Sequence, residues 1–333
     1  MNCQITLDVG TTNTRAVLWQ DCKTILAGYK LEVGVGRVAE KGSKECLEEA
    51  VRTCIDNVLT QGGKTPEEVE CILASGMVTS NVGLWEVPHL RAPVGLEEIS
   101  QGIVRVSLPN ISAIPFWFIP GVKNTVEPGE NTFCYFDMMR GEEVETFALL
   151  DALPKEGEYL FVLPGSHTKY VMVQNGKITG CLTTMTGELL NVLTHHTILA
   201  NSVGGEFIDE ASYLPEAVKL GSHISRRDGL ARAAFLARSL GQEYGYSRQQ
   251  LGNYLLGVVM DQDLQALAGK SSIEVHNDTK IILSGKKILC RVLLDLLQEE
   301  NRYKDVSVFQ LEDQGASLSA KGALAVYRNC KKK

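Results

Sequence analysis

The stretch that decides the fold reads CQITLDVGTTNTRAVLWQ and covers residues 3–20. Apolar residues alternate on both sides of a short polar turn, which predicts two strands, 3–8 and 14–20, joined as a hairpin. Hairpin turns that serve compactness alone usually contain Asn-Gly or Asp-Gly. This turn instead has one glycine followed by Thr-Thr-Asn-Thr, a composition suited to holding a ligand.

The residues of this turn indicate phosphate and magnesium binding. Gly10 allows the backbone to approach a ligand closely. Thr11, Thr12 and Asn13 supply hydroxyl, amide and backbone N–H groups that can surround phosphate oxygens. Asp8 ends the first strand and is placed to hold Mg²⁺ through water, because Mg²⁺ keeps much of its hydration shell. The alternative is a polar hairpin turn without a ligand.

A second loop of this kind follows about 155 residues later, in EYLFVLPGSHTKYVMVQNGKITG, residues 158–180. The pattern again predicts a strand, a polar turn, a strand, an Asn-Gly turn and a strand. Gly165 gives a flexible backbone position, Ser166 and Thr168 give hydroxyls, and Lys169 gives a cation. Two such loops could grip a polyphosphate from opposite sides, whereas a surface hairpin is the alternative for each loop alone.

Composition and charge exclude several classes of function. The chain has 333 residues, of which 44% are hydrophobic and 22% charged, as in ordinary globular proteins. A net charge of −7 gives no electrostatic case for nucleic-acid binding. The nine cysteines form no Cys-x-x-Cys pair, the start lacks a signal-peptide pattern, and no apolar run approaches the roughly 20 residues of a membrane span. We therefore expect a cytoplasmic protein with reduced thiols that binds neither nucleic acid nor membranes.

The order of predicted elements indicates an α/β protein with two domains. Residues 1–120 are predicted to contain three strands, a helix and a further strand, and a similar pattern begins near residue 121. The second domain is expected to cover residues 121–312 and to end with a strand, a Gly-Lys-Lys turn, a helix and another strand. A closing helix within residues 313–330 could complete the first domain.

Charged residues between the two loops are candidates for the chemistry. The segment DMMRGEE, residues 137–143, runs from a predicted strand into a helix. Asp137 or Glu142 could take the proton from an attacking hydroxyl, as phosphoryl transfer requires of a base. Arg140 could neutralise phosphate charge or pair with a substrate carboxylate. For Glu142 and Glu143 the alternative is a capping role at the start of the helix.

A loop rich in small polar residues follows the strand near residue 75, in GMVTSNVGLWEVPHL, residues 76–90. Ser80, Asn81 and Trp85 could line a sugar-like pocket, because they combine hydrogen-bonding groups with an apolar ring. A loop with a packed tryptophan is the alternative.

These motifs together resemble the actin-like ATPase superfamily, which includes sugar kinases, and within it the 2-dehydro-3-deoxygalactonokinase family. The resemblance covers almost the whole chain, and the segments that carry it stand in the family's order: LDVGTTNTRAVLW, GMVTSNVGLWEVPHL, IPGV, DMMRGEE, VLPGSHTKYV, TTMTGEL and DQGASLSAKG. MRGEE and PGSHTKYV are fairly specific to this family, whereas the first turn is shared by the wider superfamily.

The resemblance implies two actin-like ATPase (ribonuclease H-like) domains, each with a mixed sheet flanked by helices, and an active-site cleft between them. It implies ATP and Mg²⁺ as cofactors and transfer of the γ-phosphoryl group to the 6-hydroxyl of 2-dehydro-3-deoxy-D-galactonate, a step in D-galactonate breakdown. The implied partner is a small sugar acid, and a homo-oligomer is left open. The alternatives are a kinase of a related keto-deoxy acid or hexose, and a non-catalytic sugar sensor.

The resemblance also assigns roles by position. The two turns match the family's two phosphate loops, and ILSGKKILC matches its adenosine loop, with Ser284 and Gly285 near the base or ribose. Asp137 falls where superfamily sugar kinases place the catalytic aspartate, with Glu142 as the alternative.

The chain departs from the family pattern in two places on the nucleotide side. Lys286 and Lys287 stand where the family commonly has small or hydroxyl residues. Asp261 and Asp263 interrupt a helix that is more apolar in the family.

Overall fold

The computed structural model describes residues 3–127, 129–269, 272–310 and 316–332. Within these ranges the chain forms fourteen strands, which are β1 (Cys3–Val9), β2 (Thr14–Gln20), β3 (Thr24–Leu31), β4 (Val69–Gly76), β5 (Leu90–Arg91), β6 (Val104–Val106), β7 (Phe116–Phe118), β8 (Val122–Lys123), β9 (Met138–Met139), β10 (Glu158–Leu163), β11 (Thr168–Gln174), β12 (Lys177–Thr184), β13 (Lys280–Leu283) and β14 (Asp305–Val308).

The same ranges contain eleven α-helices, which are α1 (Val35–Lys41), α2 (Glu45–Gly62), α3 (Leu96–Gln101), α4 (Glu142–Asp151), α5 (Thr186–His195), α6 (Ala200–Val203), α7 (Pro215–Asp228), α8 (Leu230–Tyr244), α9 (Arg248–Ala268), α10 (Lys287–Glu299) and α11 (Leu318–Cys330). In this described part of the chain, no helix combines the length and the apolar character needed to cross a membrane.

The first half of the chain builds a six-stranded mixed sheet in the order β3-β2-β1-β4-β7-β6. β1 pairs antiparallel with β2, so that Asp8 lies opposite Arg15, and parallel with β4, so that Val9 lies opposite Gly76. β1 and β4 are buried along almost their whole length, as their nearly continuous apolar sequence predicts. α2 covers one face of this sheet, because its buried residues recur at helical spacing.

The second half repeats this topology in a five-stranded sheet of order β12-β11-β10-β13-β14. β10, β11 and β12 form an antiparallel meander, and β13 and β14 add in parallel. They occupy the places that β1, β2, β3, β4 and β7 occupy in the first sheet. The predicted repetition is therefore present, and β1 and β10 each lead into a hairpin loop.

Helices α4 and α11 form a layer between the two sheets. The two helices cross closely, since a Cβ built on Gly322 of α11 would lie 1.7 Å from the carbonyl oxygen of Val144 in α4. One apolar core joins this layer to both sheets, and it includes Trp117 of the first sheet, Phe147 of α4 and Phe161 of the second sheet. A short sheet in the order β5-β8-β9 lies next to the start of α4.

The C-terminal helix lies against the first sheet. It is predicted within residues 313–330 and begins at Leu318, while residues 313–315 lie outside the described residues. It packs on β1, β4 and α3 as well as on α4. The hydroxyl of Tyr327 donates a hydrogen bond to Glu70 of β4 at 2.7 Å.

Candidate active site

A cavity of about 820 Å³ lies between the two sheets, and loops from both halves of the chain line it. These are the hairpin loops after β1 and β10, the loops after β4 and β13, and the segment from β9 into α4. Ligands of α/β sheets commonly bind in the crevice outside the carboxyl ends of the strands. The size is that of a site for a small ligand or cofactor.

The first hairpin loop enters this cavity with its backbone. The N–H of Gly10 donates to the carbonyl of Asn13 at 2.8 Å, which closes the turn. Gly10 and Thr11 line the cavity, and Thr12 lines a neighbouring pocket. The amide of Asn13 donates to the Thr12 hydroxyl at 2.7 Å, and Asn13 is not among the lining residues of either space. The loop packs on the start of α1, whose Gly36 N–H donates to the carbonyl of Thr11 at 2.8 Å.

The second hairpin loop faces the first across the cavity. Gly165, Ser166 and Lys169 all line it. The ammonium group of Lys169 lies 2.7 Å from the carbonyl of Met138, so the second sheet is tied here to β9. Thr168 is not among the lining residues, because its side chain is 1% exposed and turns into the protein.

Four carboxylates border the cavity, Asp8 from the end of β1, Glu86 from the loop after β4, and Glu142 and Glu145 from α4. The carboxylate of Asp8 lies 3.8 Å from the guanidinium of Arg15 and accepts a hydrogen bond from Ser319 at 3.2 Å. Burial raises the pKa of Asp8, and the negative charge of Glu142 adds to the rise. Burial, with Glu142 and Asp8, raises the pKa of Glu145 to about 8. The cluster repels its own negative charge, so a cation placed there would relieve the repulsion.

Asp137 is not among the described residues that line this cavity. Its carboxylate accepts hydrogen bonds from the backbone N–H groups of Met138 at 2.7 Å and Thr183 at 2.5 Å, and from the Thr183 hydroxyl at 2.8 Å. Lys169 donates to the same hydroxyl oxygen at 2.6 Å. This environment favours a positioning role for Asp137, which ties β9 to β12, over the predicted role as a base.

Arg140 lines the cavity, and its guanidinium fixes the loop after β4. It donates to the carbonyls of Thr79 at 2.6 Å and Val87 at 3.0 Å, and it lies 3.1 Å from Nδ1 of His89. Because a guanidinium only donates, Nδ1 of His89 accepts and the ring carries its proton on Nε2. Burial, with the charge of Arg140, lowers the pKa of His89 to about 4, so the ring is neutral at pH 7.

The loop after β4 brings two of the three predicted sugar-contacting residues to the cavity. Ser80 and Asn81 line it, and the hydroxyl of Ser80 donates to the carbonyl of Met77 at 2.7 Å. Trp85 is not among the described lining residues and is 42% exposed at the surface. The prediction that this ring lines a sugar-like pocket together with Ser80 and Asn81 is therefore not supported by this cavity.

A second pocket of about 540 Å³ opens beside the cavity, between α5, α9, α10 and residues 206–208. It shares Thr11, residues 165–167 and Lys286 with the cavity. Its remaining walls are mainly apolar with a few polar groups, and they include Leu190, Asn191, Phe207, Leu256 and Ile288. Such a lining is typical of a pocket for an organic ring system.

Ser284 and Gly285 line the larger cavity and not the second pocket. The backbone N–H of Ser284 donates to the carbonyl of Val162 at 2.9 Å. A Cβ built on Gly285 would lie 3.1 Å from the carbonyl oxygen of Pro164. This segment therefore supports the second hairpin loop from behind.

Three cavity residues escaped the sequence prediction although the sequence carries a signal for each. Glu145 lies three residues after Glu142, so both share one face of a helix. Arg15 lies opposite Asp8 across the hairpin, so the strand register brings the two together. Lys286 stood out only as a departure from the family pattern.

Two sheets of the same topology, each sending a hairpin loop into a shared cavity, are the arrangement of the actin-like ATPase fold. The family model of 2-keto-3-deoxy-galactonokinase matches residues 8–318. The chain therefore belongs to the 2-keto-3-deoxy-galactonokinase family, as the motifs predict.

Named relatives agree with this membership. The chain is 31% identical over 195 residues to the 2-dehydro-3-deoxygalactonokinase of Escherichia coli (strain K12), a match that covers 59% of this chain and 58% of that relative. It is 26% identical over 248 residues to a Rhizobium meliloti (strain 1021) protein named for the same activity, covering 71% and 75%. A crystal structure of a Sinorhizobium meliloti protein also named for this activity superposes with a TM-score of 0.72 at 20% identity, covering 99% of this chain and 98% of that one.

The structural likeness concerns the fold, and it confirms the predicted fold class of two mixed sheets flanked by helices with a cleft between them. The boundaries of the two domains and the roles of individual site residues remain predictions.

Proposed function

We propose that this chain transfers the γ-phosphoryl group of ATP to the 6-hydroxyl of 2-dehydro-3-deoxy-D-galactonate. The observation that carries the proposal is that both hairpin loops and the carboxylates of α4 meet in one cavity. Phosphoryl transfer needs phosphate-binding groups and a positioned base, and the two loops and the α4 carboxylates are the candidates for these roles. Membership of the family supports the choice of acceptor.

We assign the nucleotide to the cavity and the second pocket together. The base occupies the 540 Å³ pocket, and the phosphates extend past Lys286 into the larger cavity. There the backbone of Gly10, the hydroxyl of Thr11 and the loop around Ser166 lie on either side of them. Lys286 is the N-cap of α10, so its charge and the positive end of the helix dipole both favour a phosphate.

The residues present fit a magnesium ion held near Asp8. Burial and the charge of Glu142 raise the pKa of Asp8, and a cation would stabilise its ionised form. In the described ranges, no three His, Cys, Asp or Glu side chains are grouped closely enough to ligate a metal directly. We therefore propose that Asp8 binds Mg²⁺ through a water molecule, as is usual for this ion. When bound, Mg²⁺ neutralises phosphate charge.

Glu142 is the proposed base. It is the first residue of α4 and lines the cavity, and one of its carboxylate oxygens accepts a hydrogen bond from the N–H of Arg140 at 3.1 Å. This contact orients the carboxylate while its other oxygen is left to take the proton of the acceptor hydroxyl. Ser80 and Asn81 are proposed to contact the acceptor, and Arg140 holds their loop through the carbonyls of residues 79 and 87.

The test is a coupled assay of ADP release with MgATP and three acceptors. These are 2-dehydro-3-deoxy-D-galactonate, its C4 epimer 2-dehydro-3-deoxy-D-gluconate, and glucose. We expect the galactonate derivative to give the highest kcat/KM. A higher kcat/KM for either other acceptor would reassign the substrate, and no turnover of either epimer would refute the proposal.

A further inference from the structure

A buried carboxylate that the proposed chemistry does not use lies behind the second hairpin loop. Asp263 of α9 has a fully buried side chain, with 0% exposure. It accepts hydrogen bonds from the hydroxyl of Thr184 at the end of β12, and from that of Thr186 at the start of α5, the second at 2.9 Å. Burying a carboxylate costs free energy unless it is well hydrogen-bonded, and here the hydroxyls of Thr184 and Thr186 supply the hydrogen bonds.

The start of α5 links Asp263 to the second hairpin loop. The hydroxyl oxygens of Thr168 and Thr186 lie 3.1 Å apart. The N–H of Glu188 donates to the carbonyl of Ser166 at 2.9 Å. A Cβ built on Gly187 would lie 1.9 Å from the carbonyl oxygen of Gly165, so the helix and the loop backbone are in direct contact. A group that fixes the start of α5 therefore fixes the loop.

We propose that Asp263 is a positioning residue that holds the second hairpin loop, residues 164–168, and the start of α5 in the arrangement that receives the nucleotide phosphates. Its identity as a phosphate-positioning residue rests on the proposed function. The order of the loop, however, can be measured without turnover.

The direction of the hydrogen bonds supports this role. An ionised carboxylate only accepts, so the hydroxyls of Thr184 and Thr186 both donate to Asp263. The Thr186 hydroxyl has then used its single proton, so the Thr168 hydroxyl donates either to the Thr186 oxygen or to Asp263 itself, with which it also interacts. Burial raises the pKa of Asp263 to about 6, so the group is mostly ionised at pH 7.5. One carboxylate thus orders hydroxyls from β11, β12 and α5.

Asp261 provides a matched control on the same helix. Its side chain is also 0% exposed. It accepts hydrogen bonds from Ser222 at 3.0 Å and Arg226 at 2.8 Å, both on α7 and away from the loop. Replacing either aspartate by asparagine removes a buried carboxylate from α9, but only Asp263 is connected to the loop.

The experiment compares Asp263→Asn with Asp261→Asn in the full chain at pH 7.5. Because small misplacements of binding groups cost up to about 100-fold, we expect Asp263→Asn to raise the KM for MgATP at least tenfold and to change the KM for the sugar acid less than about twofold. Asp261→Asn should change both values less than about twofold. Hydrogen exchange should become faster at the N–H of Glu188 in Asp263→Asn only.

A second pair of variants, at Thr186, tests the proposal if Asp263→Asn does not fold. Thr186→Val removes the hydroxyl that joins the start of α5 to Asp263 and should change the KM for MgATP and the exchange at Glu188 in the same direction as Asp263→Asn. Thr186→Ser keeps the hydroxyl and should behave like the wild type. Equal effects of the two aspartate variants on MgATP and on exchange would overturn the proposal, as would equal effects of the two threonine variants. An inactive wild type would refute the proposed function alone, because exchange at Glu188 still tests the loop.

Discussion

Replacing Glu143 with glutamine should change how the stability of the protein depends on pH. Glu143 lies in the first turn of α4 and is 0% exposed. One carboxyl oxygen accepts from the N–H of Gly141 at 2.7 Å, and the other has no hydrogen-bond partner among the residues that the structure describes. Burial, together with the charge of Glu142, raises its pKa to about 8. The side chain is therefore mainly protonated in the folded protein at pH 7.

The sign and size of the effect follow from counting protons. The ordinary pKa of 4.5 applies to the unfolded chain, so between pH 4.5 and about 8 the folded state holds more protons. The stability contributed by this group is complete below pH 4.5 and is lost as the pH rises through about 8. At about 1.4 kcal/mol per pH unit, roughly 3 kcal/mol of this loss falls between pH 5.5 and pH 9.

Glutamine is neutral at every pH and removes this dependence. At pH 5.5 we expect Glu143→Gln to be less stable than the wild type by about 1–2 kcal/mol, because its amide buries two donors without a partner where the protonated carboxyl buries one. At pH 9 the order should reverse, with the variant more stable by about 1–2 kcal/mol, because the wild type must then bury an ionised carboxylate.

The assay is urea unfolding of both proteins at pH 5.5, 7 and 9, with the free energy of unfolding extrapolated to water. Glu45→Gln is the matched control, since Glu45 lies in the first turn of α2 but is exposed. This control should follow the wild type at each pH. A difference between the wild type and Glu143→Gln that changes by less than about 1 kcal/mol from pH 5.5 to pH 9 would contradict the reasoning.

Three further outcomes are expected. Glu142→Gln should lower kcat by about 100-fold or more with little change in KM, because it removes the base, and Asp137→Asn should lower kcat less; steady-state kinetics showing the reverse order would return the base role to Asp137. Lys286→Ala should raise the KM for MgATP by about tenfold and leave the KM for the acceptor unchanged, since one charge-assisted contact is lost; equal changes in both would reject the phosphate contact. Gly322→Ala should lower the free energy of unfolding by about 1–3 kcal/mol in urea titrations, because its Cβ would clash with the carbonyl of Val144. A stability equal to the wild type would show that α4 and α11 can separate.

Local patterns predicted the hairpin loops, because each loop and its flanking strands are adjacent in sequence. The orientation of the Thr168 side chain could also have been predicted from the sequence. Side chains in a strand alternate between its faces, so Thr168 shares a face with the buried Tyr170, and Lys169 takes the opposite one. Assigning both Thr168 and Lys169 to phosphate binding ignored this alternation.

Contacts between residues far apart in the sequence distinguish site candidates that local patterns could not. Asp137 and Glu142 are five residues apart, and both precede or begin a helix, so sequence alone leaves the base ambiguous. The two carboxylates differ in their hydrogen bonds, because the N–H of Thr183, 46 positions after Asp137, donates to the Asp137 carboxylate. The second pocket could not be predicted locally either, because its walls combine the two hairpin loops with segments between residues 187 and 289 that only the packed helices bring together.

The layer formed by α4 and α11 has a mechanical consequence. Because one continuous apolar core joins this layer to both sheets, the sheets cannot be pulled apart without exposing that core to water. If the cleft closes, we therefore expect the two sheets to rotate about the α4–α11 crossing rather than to separate from it. Glu142, at the end of α4 that enters the cleft, would then keep its place near the axis of rotation, while the two hairpin loops would move relative to it.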